Sequence, residues 1–347
     1  MSHVRGSRFQ VQRARSLASP GHLRGWSGVL GCLVLGSLVL ATRVLAQQTP
    51  PQNPPTFRAG VKVVPVYATV TDRGGRFVLD LPKERFSITD NGQPVVITQF
   101  SAQYVPITAS IMLDLSRSML ARYDAVLAAA EQFIVRLMPG DRARVGSFSE
   151  EVRMGPPLTG DRDALIKFLR GSFDLRVGMR TRLWDGIEEG IKALDGAEGR
   201  RIVFVISDGA DTWSERRMDD VLSMARKAGV IVYWLSITGT GGPEPRSQFF
   251  PNAGLKYFVE ETGGGYMRFN DLDEINPIMT EVTEELHHQY LLGFTPAVLD
   301  GKVHKLDVKL SQSNYTVRAR QSYVADDDAG KLDVSSNKLE VKVGSRK

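Results

Sequence analysis

A chain of 347 residues has room for one large domain or two modest ones, and 42% hydrophobic with 24% charged residues is the composition of a globular protein, not of a fibrous or disordered one. The formal charge of +5 comes from the amino terminus: residues 1–46 hold Arg5, Arg8, Arg13, Arg15, Arg24 and Arg43 and no acid, and the remainder is one negative charge from neutral. This balance excludes a global electrostatic pull toward nucleic acid. Cys32 is the only cysteine, so no internal disulfide holds the fold, and stability rests on core burial.

The basic amino terminus precedes an apolar run from Trp26 to Ala41 and then Val44-Leu45-Ala46. Small or apolar residues just before Gln47 predict a signal peptide over 1–46, removed by signal peptidase. The alternative is an uncleaved membrane anchor, because the run is about the minimum length that crosses a bilayer and Arg43 closes it. Either way the rest of the chain is exported, to a periplasmic, cell-surface or secreted location. Val29-Leu30-Gly31-Cys32 looks vaguely like a lipobox, but the apolar run continues past Cys32, which reads instead as a small residue inside the signal helix.

Residues 47–58 are rich in Gln and Pro and read as an extended linker. A β segment follows over 59–104. Val61–Thr71 is rich in β-branched residues, Asp72–Gly75 is a turn, and Phe86–Thr89 and Val95–Thr98 form a hairpin around Asn91-Gly92. From 105 to 288 the pattern alternates. Strands are predicted at Ile107–Leu113, Ala143–Phe148, Ile202–Ser207, Val230–Ile237 and Tyr266–Phe269, with a short antiparallel edge at Val152–Met154. Helices are predicted at Ala121–Leu137, Asp163–Leu169, Leu183–Leu194, Met218–Ala228, Asn252–Glu261 and Asp273–His288. Such alternation implies an α/β fold: a doubly wound, mainly parallel sheet covered by helices on both faces, with every strand-to-helix loop on one edge. Strands return at Tyr290–Phe294, Val303–Leu310 and Tyr315–Tyr323, within a C-terminal β segment over 289–324, and residues 325–347 form a polar tail. Each β segment is too short for its own core. They are expected to pair into one small β-sandwich-like lobe with the α/β unit inserted between them.

The strand Ile111–Leu113 runs straight into Asp114-x-Ser116-x-Ser118, which puts one carboxylate and two hydroxyls on a turn at a strand end. Small oxygen ligands gathered there suit a hard divalent cation. Two further candidates lie in later loops: Thr181, within Gly178-Met-Arg-Thr-Arg-Leu-Trp-Asp185, and Asp208, after the strand that ends at Ser207. Taken singly, Asp114 reads equally well as a turn or helix-capping residue.

Asp-x-Ser-x-Ser, then a Thr, then an Asp, spaced by whole α/β units, is the pattern of the metal-ion-dependent adhesion site. The chain therefore resembles a von Willebrand factor type A domain. Its flanks extend the likeness: Val64-Pro-Val-x-Ala-Thr-Val-Thr-Asp-x-x-Gly75, Phe86-Ser-Ile-x-Asp-Asn-Gly92, Tyr290-Leu-Leu-Gly-Phe-Thr-Pro296, Asp300-Gly301 and Val317-Arg-Ala-Arg320 look like the bacterial VWFA-related exported proteins abundant in acidobacteria. The resemblance covers residues 58–324. It implies Mg²⁺, or Mn²⁺ or Ca²⁺, with Ser116 and Ser118 as direct ligands, Thr181 direct or through water, and Asp114 and Asp208 direct or through bridging water. Neutral hydroxyls leave the ion electrophilic, so an Asp or Glu from a partner protein completes its shell. That is an adhesion-type, non-enzymatic function.

Arg117 sits between the two serines, and Arg180 and Arg182 flank Thr181, where family members often carry glycines. They read either as a basic rim that grips an acidic partner or as solvated loop arginines. The missing glycines put the loop geometry around Thr181 in question. Trp184 and Trp213 read as packing residues first and contact aromatics second, and Asp211 as a residue that bonds its own loop. Gly239-Thr-Gly-Gly242 lacks the spacing and the following helix of a phosphate cradle. His287 and His288 are adjacent on a helix and point apart, which disfavours zinc, and no nucleophile–base pair is evident. Two other functions remain to be weighed: an envelope assembly component whose ion staples the loops, and a metal-dependent hydrolase with Asp208 or Asp211 as base.

Overall fold

The computed structural model describes residues 63–171, 178–237, 253–269 and 271–326. The expected signal peptide, the linker, the Gly239–Gly242 turn and most of the polar tail lie outside the described residues. Among the described residues no helix is long and apolar enough to cross a membrane.

The α/β unit is built on six strands: β5 (Ile107–Asp114), β6 (Arg142–Phe148), β7 (Val152–Met154), β8 (Arg200–Ser207), β9 (Ile231–Ile237) and β10 (Tyr266–Phe269). Their order is β10-β9-β8-β5-β6-β7, and every neighbouring pair is parallel except β6 with β7. Strand side chains alternate between two cores because the pleat has period two. Ile111, Leu113, Ile202, Phe204 and Ile206 face helices α1 (Tyr123–Val135), α2 (Arg162–Gly171) and α6 (Ile275–His288). Met112, Val203 and Val205 face α3 (Leu183–Lys192), α4 (Met218–Ala228) and α5 (Ala253–Thr262). Both faces are thus covered, as the near-continuous apolar runs of these strands require.

The chain leaves β5 for β6 on one side and later returns to β8 on the other. The carboxyl ends of β5 and β8 therefore flank the point where the winding direction reverses, and loops splay apart there to leave a crevice.

The remaining strands form two four-stranded sheets that share one core. One has the order β13-β1-β11-β4 and the other β14-β12-β2-β3. Their ranges are β1 Val64–Asp72, β2 Phe86–Asp90, β3 Gln93–Val95, β4 Ile97–Ser101, β11 Tyr290–Phe294, β12 Val303–Leu310, β13 Tyr315–Ala319 and β14 Ser322–Val324. Val66, Ala68, Ile88, Leu292, Phe294 and Tyr323 fill the space between them. Ser101 on β4 pairs with Leu291 on β11, so the α/β unit enters and leaves through adjacent antiparallel strands. An insertion needs such neighbouring ends.

Two expected strands are each divided in the structure. Val95–Thr98 breaks at Val96, which is 77% exposed, as the chain passes from the sheet holding β3 to the sheet holding β4. Tyr315–Tyr323 breaks at Arg320-Gln321 for the same reason. A sandwich closes its ends by strands that change sheet, and the local composition does not mark the crossing. The helix expected from Ala121 is preceded by a 3-10 turn over Arg117–Arg122, and α1 starts at Tyr123; Met119, fully buried, anchors that turn.

A candidate metal centre at the switch point

Three loops meet above the carboxyl ends of β5 and β8. The first, 114–118, begins where β5 runs out. Asp114 is fully buried; its Oδ1 accepts from the backbone N–H of Ser116 at 2.9 Å and its Oδ2 from the Ser207 hydroxyl at 2.6 Å. The Ser116 and Ser118 hydroxyls lie 3.1 Å apart. The second loop carries Thr181, which is buried. The third follows β8, with Asp208 half-buried and its Oδ1 accepting from Ala210 N–H at 3.0 Å.

Hydrogen bonds strap each pair of loops together. Between the first and second, Ser116 pairs with Gly178 as a parallel bridge, and Arg117 N–H donates to Gly178 O at 2.9 Å. Between the second and third, Thr181 N–H donates to the Thr212 hydroxyl at 2.9 Å, and the N–H groups of Thr212 and Trp213 return to Thr181 O at 3.0 and 2.9 Å. Between the first and third, Ser207 bonds Asp114 while its hydroxyl accepts from Gly209 N–H at 2.9 Å. Asp185, in the first turn of α3, takes the N–H groups of Glu215 and Arg216 and so ties the third loop to the helix after the second.

The structure thus gathers the loops of all five sequence-predicted ligands. Asp114, Ser116 and Ser118 share one turn, and Asp208 is close enough for its charge to act on Asp114. Thr181 joins the group through its backbone. The loop conformation needs no glycine at positions 179 and 180, because Asn91 is the only non-glycine residue with positive φ among the described residues. The close approach falls at Gly178, where a Cβ would stand 2.7 Å from the Ser149 side chain and 2.9 Å from Glu150 N.

The electrostatics are those of a carboxylate without a counter-charge. Burial pushes the Asp114 carboxyl up to about 6; hydrogen bonds from Ser116 and Ser207 pull it down, and Asp208 pushes it up again. All its hydrogen-bond donors are hydroxyls and a backbone amide, and among the described residues no cation pairs with it. Every candidate donor is oxygen: two carboxylates and three hydroxyls. A small hard divalent cation matches such a set, and the residues present fit one.

The rim arginines differ from one another. Arg182 donates to Asp185 at 3.2 Å and to Glu215 at 2.9 Å, so its charge is already neutralised by this chain. Arg180 has no carboxylate partner among the described residues and lies over Trp213, 4.3 Å from the ring centroid; Arg182 is 4.8 Å from the same centroid. Arg117 is exposed and touches the Met179 sulfur at 3.6 Å. Trp213 is 41% exposed, whereas Trp184 is buried against Phe258. Asp211 accepts from Leu183 N–H and from the Ser214 hydroxyl, which makes it a cap for α3. His287 bonds Asp141, which in turn holds Ile107 N–H at the start of β5, at the opposite edge of the sheet from the site. His288 bonds Glu284 O, and His304 bonds Asp90 in the β lobe.

Ser207 and Thr212 are the structural residues that the sequence pattern does not single out. A signal for Ser207 exists in principle: it lies one step past the Leu113–Ile206 pairing of β5 with β8, beside Asp114. Thr212 has no comparable marker.

Residues 110–210 match the model of the von Willebrand factor type A domain. Similar solved structures include an aerotolerance-related membrane protein from Bacteroides fragilis, 20% identical over 52% of this chain and 98% of that one, with a TM-score of 0.43. The BatB protein from Bacteroides thetaiotaomicron is 21% identical over 52% of this chain and 98% of that one, with a TM-score of 0.41. Proximal thread matrix protein 1 from the mussel byssus, solved with a zinc-occupied MIDAS motif, is 15% identical over 56% of this chain and 48% of that one, with a TM-score of 0.43. No curated protein matches the chain. The matched stretch runs from within β5 to the start of the loop after β8 and holds Asp114, Ser116, Ser118, Thr181 and Asp208, so this part of the chain is similar to a von Willebrand factor type A domain.

Proposed function

We propose that the chain is an exported, non-catalytic binding module that engages an acidic side chain of a partner protein through a divalent cation, Mg²⁺ in the first instance. Domains of this family are generally interaction modules. The observation that carries the reading is the buried, counter-charge-free Asp114 carboxylate at the switch point, among loops already strapped to one another. Asp114, Ser116, Ser118, Thr181 and Asp208 would hold the ion. When bound, it supplies a Lewis-acidic position for one carboxylate oxygen of the partner. Three of the five donors are neutral, so the protein leaves part of the cation's charge for the partner to satisfy. Ser118 is exposed, which leaves the set open on that side.

The surroundings support an acidic partner. Arg180 lies over Trp213 with no acid of its own among the described residues, and Arg117 stands exposed nearby on the first loop. Met179, 62% exposed, and Leu120, 53% exposed, add apolar contact area on the same two loops. Export rests on the basic and apolar residues 1–46.

The test is an array of peptides that each carry a single Asp or Glu, probed with the exported portion. The expected result is binding in Mg²⁺ that is lost in chelator, lost with Asp114→Ala and weakened by Arg180→Ala. Binding that survives both chelation and Asp114→Ala would defeat the proposal.

A further inference from the structure

A second polar cluster lies at the seam between the α/β unit and the β lobe, where the end of α4 meets β1 and the crossover from β13 to β14. A small cavity opens there, with Tyr67, Arg226, Gly229, Glu261, Arg320 and Ser322 in its wall. Its free space amounts to about 10 Å³ for the centre of a water-sized particle, room for one small particle.

Two guanidinium groups, those of Arg226 and Arg320, line it, and a third, that of Arg201, reaches the same wall residue Gly229. Arg320 Nη1 and Arg201 Nη2 each lie 3.6 Å from the point where a Cβ on Gly229 would stand. Arg226 bonds the Ser322 hydroxyl at 2.7 Å and Glu261 at 2.6 Å. Arg320 caps the end of α4 by donating to Arg226 O and also bonds Ser322 O, both at 2.9 Å. Among the described residues Glu261 is the one carboxylate in the cavity wall, and it also accepts from Ser322 at 2.5 Å. Arg201 has no ion-pair partner among the described residues; Asp195 and Tyr67 act on it only through space.

The positive charge is in excess and poorly solvated. Burial pushes Arg320 down to about 10; Tyr323 raises it, and Arg201 and Arg226 lower it further. Tyr67, in the cavity wall, also carries the guanidinium of Arg200 4.5 Å from its ring centroid. Arg200 is fully buried, and none of its three side-chain nitrogens has a hydrogen-bond partner among the described residues. Glu285 and Asp141 reach Arg200 only through space. Buried cations that outnumber their acids are costly unless a negative charge is supplied, and guanidinium is the cation most readily stripped of water.

We propose that this cavity binds one halide-sized anion, chloride, against Arg226 and Arg320 in its wall and within reach of Arg201 beside Gly229. The anion clasps the β lobe, which supplies Arg320, to the α/β unit, which supplies Arg201 and Arg226.

The test compares thermal midpoints of the exported portion in sodium chloride and in sodium gluconate at equal ionic strength, for the wild type, Arg201→Gln and Gly229→Asp. Gluconate is too large for the cavity. Gly229→Asp offers a built-in carboxylate at the converging nitrogens, and Asp tolerates the left-handed backbone at φ 62°. Chloride should raise the wild-type midpoint by about 2 °C or more, and the increment should vanish in both variants. A bromide soak of wild-type crystals should place an anomalous peak in the cavity. Equal chloride increments in all three proteins, or a cavity that holds only water after the soak, would overturn the proposal. If Gly229→Asp does not fold, Arg201→Gln and the bromide peak decide.

Discussion

Asp114 is the residue on which the site turns, and its burial has a measurable cost. Its folded carboxyl titrates at about 6 against an ordinary value of 3.8, so the folded protein holds that proton more tightly than the unfolded chain does. A raised carboxyl pKa means that stability is lost as pH climbs from about 4 to 6 and stays lost above. The penalty at neutral pH is on the order of 3 kcal/mol. Asp114→Asn should therefore stabilise the ion-free protein at pH 7.5, with the gain gone at pH 4, while abolishing any stabilisation by Mg²⁺. Thermal unfolding in chelator at the two pH values checks this. Equal midpoints for variant and wild type at pH 7.5 would contradict the assigned burial penalty.

At the scale of elements, the straps between loops decide whether the donors stay together. Gly178 is the tightest of them, since any side chain there meets Ser149 and the backbone of Glu150. Gly178→Ala should shift the loop that carries Thr181, costing roughly 2 kcal/mol of stability and at least tenfold in Mg²⁺ affinity by calorimetry. An unchanged affinity would mean that Thr181 does not contribute. The alternation of strands and helices was legible because apolar periodicity and end signals agree there: Met218–Ala228 and Tyr266–Phe269 fall where the pattern puts them. Asp114, Ser116, Ser118, Thr181 and Asp208 were legible as a set because each follows a strand or opens a helix. The sheet crossings at Val96 and Arg320 were not, because a strand that changes partner keeps its β-type composition throughout. Nor did spacing reveal that Arg182 is neutralised by Glu215, which lies 33 residues away and meets it only through the fold.

On the scale of the whole molecule, one buried network joins the α/β unit to the β lobe. Glu285 on α6 accepts from Thr69 on β1 at 2.9 Å and from Tyr233 on β9 at 2.6 Å, and it pairs with Arg318 on β13. Gln289 donates to both Thr69 and Tyr233. Glu285→Leu would leave Arg318 and two hydroxyls without their shared acceptor. It should cost about 2–3 kcal/mol, seen as a lower midpoint in chemical denaturation, with Mg²⁺ affinity preserved because the network lies away from the site loops. Loss of Mg²⁺ affinity in this variant would show that the seam and the site are coupled. The central claim, that three loops at the switch point hold one hard divalent cation, is tested most directly by anomalous diffraction from crystals of the protein grown with Mn²⁺. The account predicts a single strong peak in contact with the Ser116 and Ser118 hydroxyls and facing Asp114, Thr181 and Asp208. A peak bound elsewhere, or none among these loops at saturating Mn²⁺, would contradict it.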